Sequence, residues 1–384
     1  MKIRSKRIVD FCEISSGSTP SRKKQGDLFG GTIPWVKSGE LEDAEIWETE
    51  EHITEEGFSS CSTKMLSPDT LLVAMYGATV GKVAILRIPA CTNQAVAAIQ
   101  PNVSECNLQY LFYFFLGYRP KLMESRVGGA QPNISQTLLK ELFVQLPPLP
   151  EQERIAAILE QADAARRKRR QANLLTQEFL QSAFIDLFGD PATNPKGWDV
   201  VKFSEIAEIE RHGVSPEDIS PNAYYLGLEH IEKETGNILN KLDAVEEQLK
   251  STKFKFSANH ILYGKLRPYL NKVAMPDFDG VCSTDILPIL CKTSKATKAV
   301  VAYFLNTPHF VTLATSLSAG ANLPRVSPSL IENIDLFLPP VAEQKQFAEI
   351  VKSVDVLRIK QRQSEQELEN LFQSLLQKAF QGEL

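Results

Sequence analysis

The sequence holds no stretch apolar enough to cross a bilayer. The uncharged run from Leu305 to Pro324 is rich in Asn, Thr, Ser and Gly. The opening MKIRSKRIVDFCEI has basic residues but no apolar core of the kind a signal peptide needs. Six cysteines, at 12, 61, 91, 106, 282 and 291, form no C-x-x-C pair. Neither a zinc site nor a disulfide framework is indicated, and a reducing cytoplasm fits best. The five histidines, at 52, 212, 230, 260 and 309, are scattered. There is no H-E-x-x-H, no G-x-S-x-G and no Asn/Asp-Pro-Pro-aromatic motif. GATVGKV (Gly77 to Val83) imitates a phosphate loop, but it has one residue too few between its glycines and no Ser or Thr after Lys82. A turn between strands is the plainer reading. The expectation is a chain with no catalytic residues, no metal and no cofactor of its own.

What is present is a repeat. LPPLPEQERIAAIL, from Leu146, returns as LPPVAEQKQFAEIV, from Leu338, half the 384-residue chain later, with seven of fourteen positions identical. Upstream, GGAQPNIS (from Gly128) answers GANLPRVS (from Gly320). YGATVGKVA (from Tyr76) answers YGKLRPYLNKVA (from Tyr263), and CTNQ (from Cys91) answers CSTD (from Cys282). So long a period excludes a solenoid and implies one whole module written twice.

Each module reads as a globular part followed by a long helix. TLLVAMYG, KVAILRI, HILYG and DILPILCK look like strands bounded by turn residues, while YLFYFFLGY and AVVAYFLNT look like short buried helices. Apolar residues at three-and-four spacing, Ile155 to Phe179 and Phe347 to Leu375, predict two long helices of some 40 residues each. Pro147, Pro148, Pro339 and Pro340 form rigid lead-ins. Pro150 suits a first helical turn, and Glu151 and Glu343, followed by Gln152 and Gln344, suit the positive end of the helix dipole. The resulting layout is α+β: a mixed domain at 1–145, a helix at 146–190, a second mixed domain at 191–337 and a helix at 338–384. The two helices are expected to fold back antiparallel, giving pseudo-two-fold symmetry. Leu174, Leu175, Phe179, Leu180, Phe184, Ile185, Leu187 and Phe188 leave the end of the first helix apolar nearly all round. Either the second domain or another protein must cover what the helix pair does not.

With 43% hydrophobic and 23% charged residues the chain can bury a core. Its net charge of −5 and pI near 5.7 do not by themselves suggest nucleic acid, but the location of charge matters more than its sum. From Lys250 to Lys272 there are six Lys/Arg and no acid. There Lys253, Lys255, Tyr263, Lys265, Arg267 and Lys272 interleave basic and aromatic groups as a nucleic-acid groove does. In SSGSTPSRKK, the hydroxyls of Ser18, Thr19 and Ser21 suit phosphates, and Arg22, Lys23 and Lys24 can reach phosphates or guanine edges. Lys37, Tyr76, Thr79, Lys82, Gln131, Asn133, Asn322 and Arg325 complete the candidate contacts. Each segment also has a bland reading as a surface loop, a solvated strand face or a turn before a Ser-capped helix. The run RRKRR (Arg166 to Arg170) reads as a solvated or acid-paired helix face, with Glu365, Glu367 and Glu369 opposite, or more sharply as a phosphate contact.

The duplicated L-P-P-x-x-E-Q lead-ins, SSGSTPSR followed by IPWVKSGEL, YGATVGK with CTNQAVA, and GGAQPNIS together resemble the specificity subunits of type I restriction–modification systems over essentially the whole length. The resemblance implies two target-recognition domains, each reading one half of a bipartite, asymmetric double-stranded DNA site. It implies helices that dock two methyltransferase subunits carrying S-adenosylmethionine. It also implies motor–nuclease subunits that use ATP and magnesium. The second domain has ERHGVSPED in place of SSGSTPSR, so the half-sites should differ. A coiled-coil adaptor that binds only protein, and a cryptic nuclease, stay open at this level.

Overall fold

The computed structural model describes residues 4–22, 28–124, 133–239, 242–243 and 249–384. The chain divides into two compact units, Met1–Arg169 with Ser364–Leu384, and Arg170–Gln363. Each holds a mixed α/β domain and half of each long helix.

In the first unit the central sheet runs, in spatial order, Cys12–Ser16, Val96–Pro101, Thr70–Ala74, Val83–Leu86 and Ala44–Ile46. Its strands are β-branched and leucine-rich, and Thr70–Ala74 and Val83–Leu86 are buried throughout, as strands covered on both faces must be. A second sheet joins Glu51–Ile53, Phe29–Val36 and Cys91–Thr92. A ribbon of Arg4–Arg7 with Phe143–Leu146 sits ahead of the first long helix.

The second unit repeats this plan with a different second sheet. Its central sheet runs Ala207–Ile209, Ile286–Cys291, His260–Gly264 and Val273–Ala274. The second sheet is built on Lys253–Phe256, Gly280–Cys282 and Tyr224–Leu226, and the ribbon is Asp199–Lys202 with Asp335–Leu338. The helices predicted over YLFYFFLGY and AVVAYFLNT are Leu108–Glu124 and Lys298–Leu305, both packed into their cores. The short helices after GGAQPNIS and GANLPRVS are capped by Ser135 and Ser327, whose hydroxyls accept from Leu138 N and Leu330 N.

The long helices are Leu149–Phe188 and Val341–Gln381. They run antiparallel within each unit. In the first unit Arg154 meets the Leu384 carbonyl and Arg166 meets Glu369. In the second, Thr176 meets Gln361 and Phe184 packs on Phe347.

The backbone pairing corrects two correspondences read from sequence. In the first unit Asn93 N donates to Val36 O, and Met75 N to Ala95 O; in the second, Ser283 N donates to Leu226 O, and Lys265 N to Asp285 O. Asn93 therefore matches Ser283, and Ala95 matches Asp285. CTNQ lies over CSTD with a slip of one residue, because ladder hydrogen bonds fix register and cysteine identity does not. Likewise Ile134 N donates to Met75 O and Val326 N to Lys265 O. Tyr76 thus matches Leu266, and Tyr263 is no counterpart of Tyr76.

Candidate nucleic-acid interface

The duplicated helix lead-in is built first. Gln152 and Gln344 are fully buried. Gln152 Nε2 donates to Glu105 O (2.9 Å) and Pro147 O (2.8 Å), and its Oε1 accepts from Asn107 N (2.8 Å). Gln344 does the same with Lys295 O (3.0 Å), Pro339 O (2.8 Å) and Thr297 N (2.8 Å). Asn107 and Thr297 cap the buried helices of their own domains. Each glutamine thus pins the start of a long helix to the domain before it. Glu151 stays at the surface and pairs with Arg154 (2.7 Å).

In the first unit, the segment Ser16–Arg22 crosses the end of the second sheet. Ser18 N donates to Thr92 O (3.0 Å), and a Cβ on Gly17 would collide with that carbonyl, so the glycine of SSGSTPSR is required by close approach. Trp35 Nε1 donates to Ser18 O (3.2 Å). Thr19 donates to Gln94, which also hydrogen-bonds Tyr76; burial pushes the Tyr76 hydroxyl above its ordinary pKa against that bond. Arg22 stacks over Phe29 (4.2 Å) and pairs with Glu51 (3.0 Å). Lys37 Nζ reaches Glu50 (2.8 Å) and Glu51 (3.0 Å). The Glu50 bond raises the Lys37 pKa against desolvation. Burial pushes the Glu51 carboxyl up, but Lys37 and Arg22 outweigh it and hold the group below its usual range. The Thr79 hydroxyl donates to Ser38 O (2.6 Å), a loop-holding role. YGATVGK is a turn between antiparallel strands, with Gly77 and Gly81 at positive φ and Gly81 N bonded to Ala74 O; no helix follows to cradle phosphate. Ser21 and Asn133 are exposed and Lys82 is half-buried. Lys23, Lys24 and Gln131 lie outside the described residues.

In the second unit the acid-free segment does not stay acid-free in space. Arg325 forms two bonds to Asp285 (Nε 2.9 Å, Nη2 3.1 Å), and Lys265 Nζ lies 4.0 Å from the same carboxylate. Two candidates are corrected. Tyr263 is 2% exposed in the core against Phe310, since HILYG is a strand buried on both faces; its ring has no free face for a base. Lys253 is 7% exposed, with its amine tied to Ser251 O (2.8 Å) and Oγ (2.7 Å) and its pKa lowered by burial. Lys272 donates to Leu228 O (2.6 Å), and burial lowers its pKa too. Lys255, Arg267 and Asn322 are exposed. Among the described residues, no hydrogen bond or ion pair engages the side chains of Lys82, Lys255 or Arg267. Arg267 (φ 53°) and Asn271 (φ 47°) bracket the turn that carries exposed Tyr269, a surface aromatic that sequence reasoning did not single out.

On the helices, Arg166 pairs with buried Asp163 (2.6 Å) and with Glu369 (3.1 Å) and stacks on Phe372 (4.1 Å), while Arg167 pairs with Asp163 (3.1 Å). These two members of the basic run are acid-paired. Leu180, Phe184 and Phe188 are buried in the second unit, whereas Leu174, Leu175, Phe179 and Ile185 stay exposed, as do Val356, Leu357 and Ile359. A cleft of about 1140 Å³ runs beside Ile185, Asp355, Arg358 and Ile359. Among the described residues no group of three or more His, Cys, Asp or Glu is placed to hold a metal ion, and no helix is long and apolar enough to cross a membrane.

The family described as type I restriction modification DNA specificity domain matches this chain twice, over residues 2–176 and 195–370. The chain is 27% identical to the type I restriction enzyme MjaIX specificity subunit of Methanocaldococcus jannaschii, over 99% of this chain and 93% of that one. It is 26% identical to the EcoDI specificity subunit of Escherichia coli, over 72% and 70%. Among solved structures, the S subunit of a type I system from M. genitalium superposes with a TM-score of 0.58 at 13% identity, over 99% and 96%. A chain from a study of complex assembly and conformational transition of the type I system superposes with 0.57 at 17%, over the full length of both.

Proposed function

Because the chain belongs to the type I restriction–modification DNA specificity family, we propose that it reads a bipartite, asymmetric site on double-stranded DNA, one half-site per domain, as the non-catalytic member of a cytoplasmic complex. The observation that carries this reading is the duplicated module with unlike heads. Where the first unit has Met75, Ala95 and Asn133, the second has Lys265, Asp285 and Arg325 in a charged cluster. One fold with two sets of surface groups suits two different half-sites. The free cations Lys82, Lys255 and Arg267 supply phosphate contacts, and the side chains around Gln94 and Asp285 face bases.

The long helices dock two methyltransferase subunits, which carry S-adenosylmethionine, and motor–nuclease subunits with ATP and magnesium join them. The exposed row Leu174, Leu175, Phe179 and Ile185, with Val356, Leu357 and Ile359 and the neighbouring cleft, supports docking there. The test is to express the chain with its methyltransferase subunits and map the methylated motif across a genome. A two-part motif with unlike halves is expected. A complex that assembles but neither shifts duplex DNA nor methylates it would make the chain a protein-binding adaptor. Cleavage or methylation by the purified chain alone would make it an enzyme.

A further inference from the structure

In each unit one carboxylate spans two cations drawn from different segments. Glu51 bridges Arg22 and Lys37, each at 3.0 Å. Asp285 binds Arg325 through both oxygens and lies 4.0 Å from Lys265. The two clamps are not copies of one another, because the position matching Asp285 in the first unit is Ala95. Each head therefore has its own. Both carboxylates keep partial exposure, with 31% of the Glu51 side chain and 25% of that of Asp285 accessible, so each can be approached by an external donor.

Phosphate neutralisation supplies nearly all non-specific affinity for DNA and carries no sequence information. A carboxylate beside a cation cancels that attraction and repels phosphate. The same carboxylate accepts a hydrogen bond from a base amino group in the major groove, where cytosine N4 and adenine N6 are donors. We propose that Glu51 and Asp285 are specificity-determining residues. Each holds cations off the phosphates of non-target DNA and gives them up when a base amino group takes the carboxylate; Lys37 keeps Glu50 (2.8 Å), so in the first unit the cation released is Arg22. The requirement follows that each half-site contains a cytosine or adenine at the position the clamp faces. This rests on the two-headed reading above.

The test uses the full chain co-purified with its methyltransferase subunits. The probes are a duplex carrying the mapped motif and a scrambled duplex. Glu51→Gln should raise scrambled-duplex affinity about tenfold and steepen the salt slope by about 0.9 for each cation freed. Its methylated motif should become degenerate at one position of one half-site, with the other half unchanged. Asp285→Asn should do the same in the other half. Glu51→Asp, which keeps the charge, should stay near wild type. Unchanged scrambled-duplex affinity with an unchanged motif overturns the proposal. So does a melting shift common to Glu51→Gln and Glu51→Asp with the same motif, since the carboxylate then only holds its loop. A wild-type motif that is not bipartite would instead sink the two-headed reading itself.

Discussion

A buried glutamine is a stringent residue to place, because each unmet polar group in its pocket costs about 1–3 kcal/mol. Gln152 and Gln344 each satisfy two carbonyls and one amide. Gln152→Leu should therefore lower stability by on the order of 3 kcal/mol, read by thermal melting. Gln152→Glu should give a pH-dependent loss. The new carboxyl faces two carbonyl oxygens without solvent, so its folded pKa rises above the ordinary value of about 4.3. A raised folded pKa means that stability is retained below the ordinary value and lost as pH rises through the folded one. The variant should melt nearer to wild type at about pH 4 than at pH 7. The repeat made Gln152 and Gln344 visible in the sequence, but a surface turn was as natural a setting as a buried staple. The cations behave conversely. Lys255→Ala and Arg267→Ala should each flatten the salt slope of DNA binding by about 0.9, whereas Lys253→Ala, which frees a buried loop anchor, should change melting instead. Sequence placed all three in one basic segment. Only the fold separates them: Lys253 and Lys255 lie on the same face of one strand by their spacing, but Lys253 is covered and tied to Ser251 while Lys255 is exposed.

At the scale of elements, the helices were legible because their apolar spacing runs for about seven to eight turns. The strands within HILYG and DILPILCK were legible because a short apolar run between turn residues has few other outcomes. Register was not, since a one-residue slip leaves the apolar count of such a run unchanged. That is why CTNQ and CSTD invited the wrong pairing and why Tyr263 passed for a surface aromatic. The end of the first long helix splits into two faces. Phe184 and Phe188 close on Phe347, and Phe184→Ala should cost about 3–5 kcal/mol. Phe179 and Leu175 are 54% and 57% exposed. Phe179→Ser with Leu175→Ser should leave melting within about 0.5 kcal/mol per site and still abolish co-purification of methyltransferase subunits. Unimpaired co-purification would move the docking surface elsewhere.

For the whole molecule, the first long helix gives its residues up to Arg169 to one unit and the rest to the other. If that helix sets the offset between the reading heads, four residues added near Ala172 lengthen it by about 6 Å and turn it by roughly 400°, nearly a full circle. With the matching insertion near Ser364, the gap between half-sites should widen by about one to two base pairs at ~3.4 Å each. Two added residues turn the apolar stripe by roughly 200° and should break the pairing. An active four-residue variant with the old gap would assign the spacing to the domains or to the partner subunits.

The division into units also orders events during synthesis. The second unit is one unbroken stretch, Arg170–Gln363, and is complete before its neighbour. The first unit takes Phe372, Leu376 and Ala379 into its core, and Phe380 lies against Tyr110 and Phe114. Those residues leave the ribosome after all of the second unit has been made. Until then the aromatic helix Leu108–Glu124 has no cover on that side, although its own domain emerged first. The nascent chain thus passes through a period in which its older half is the unfinished one, and its need for chaperones should be concentrated there.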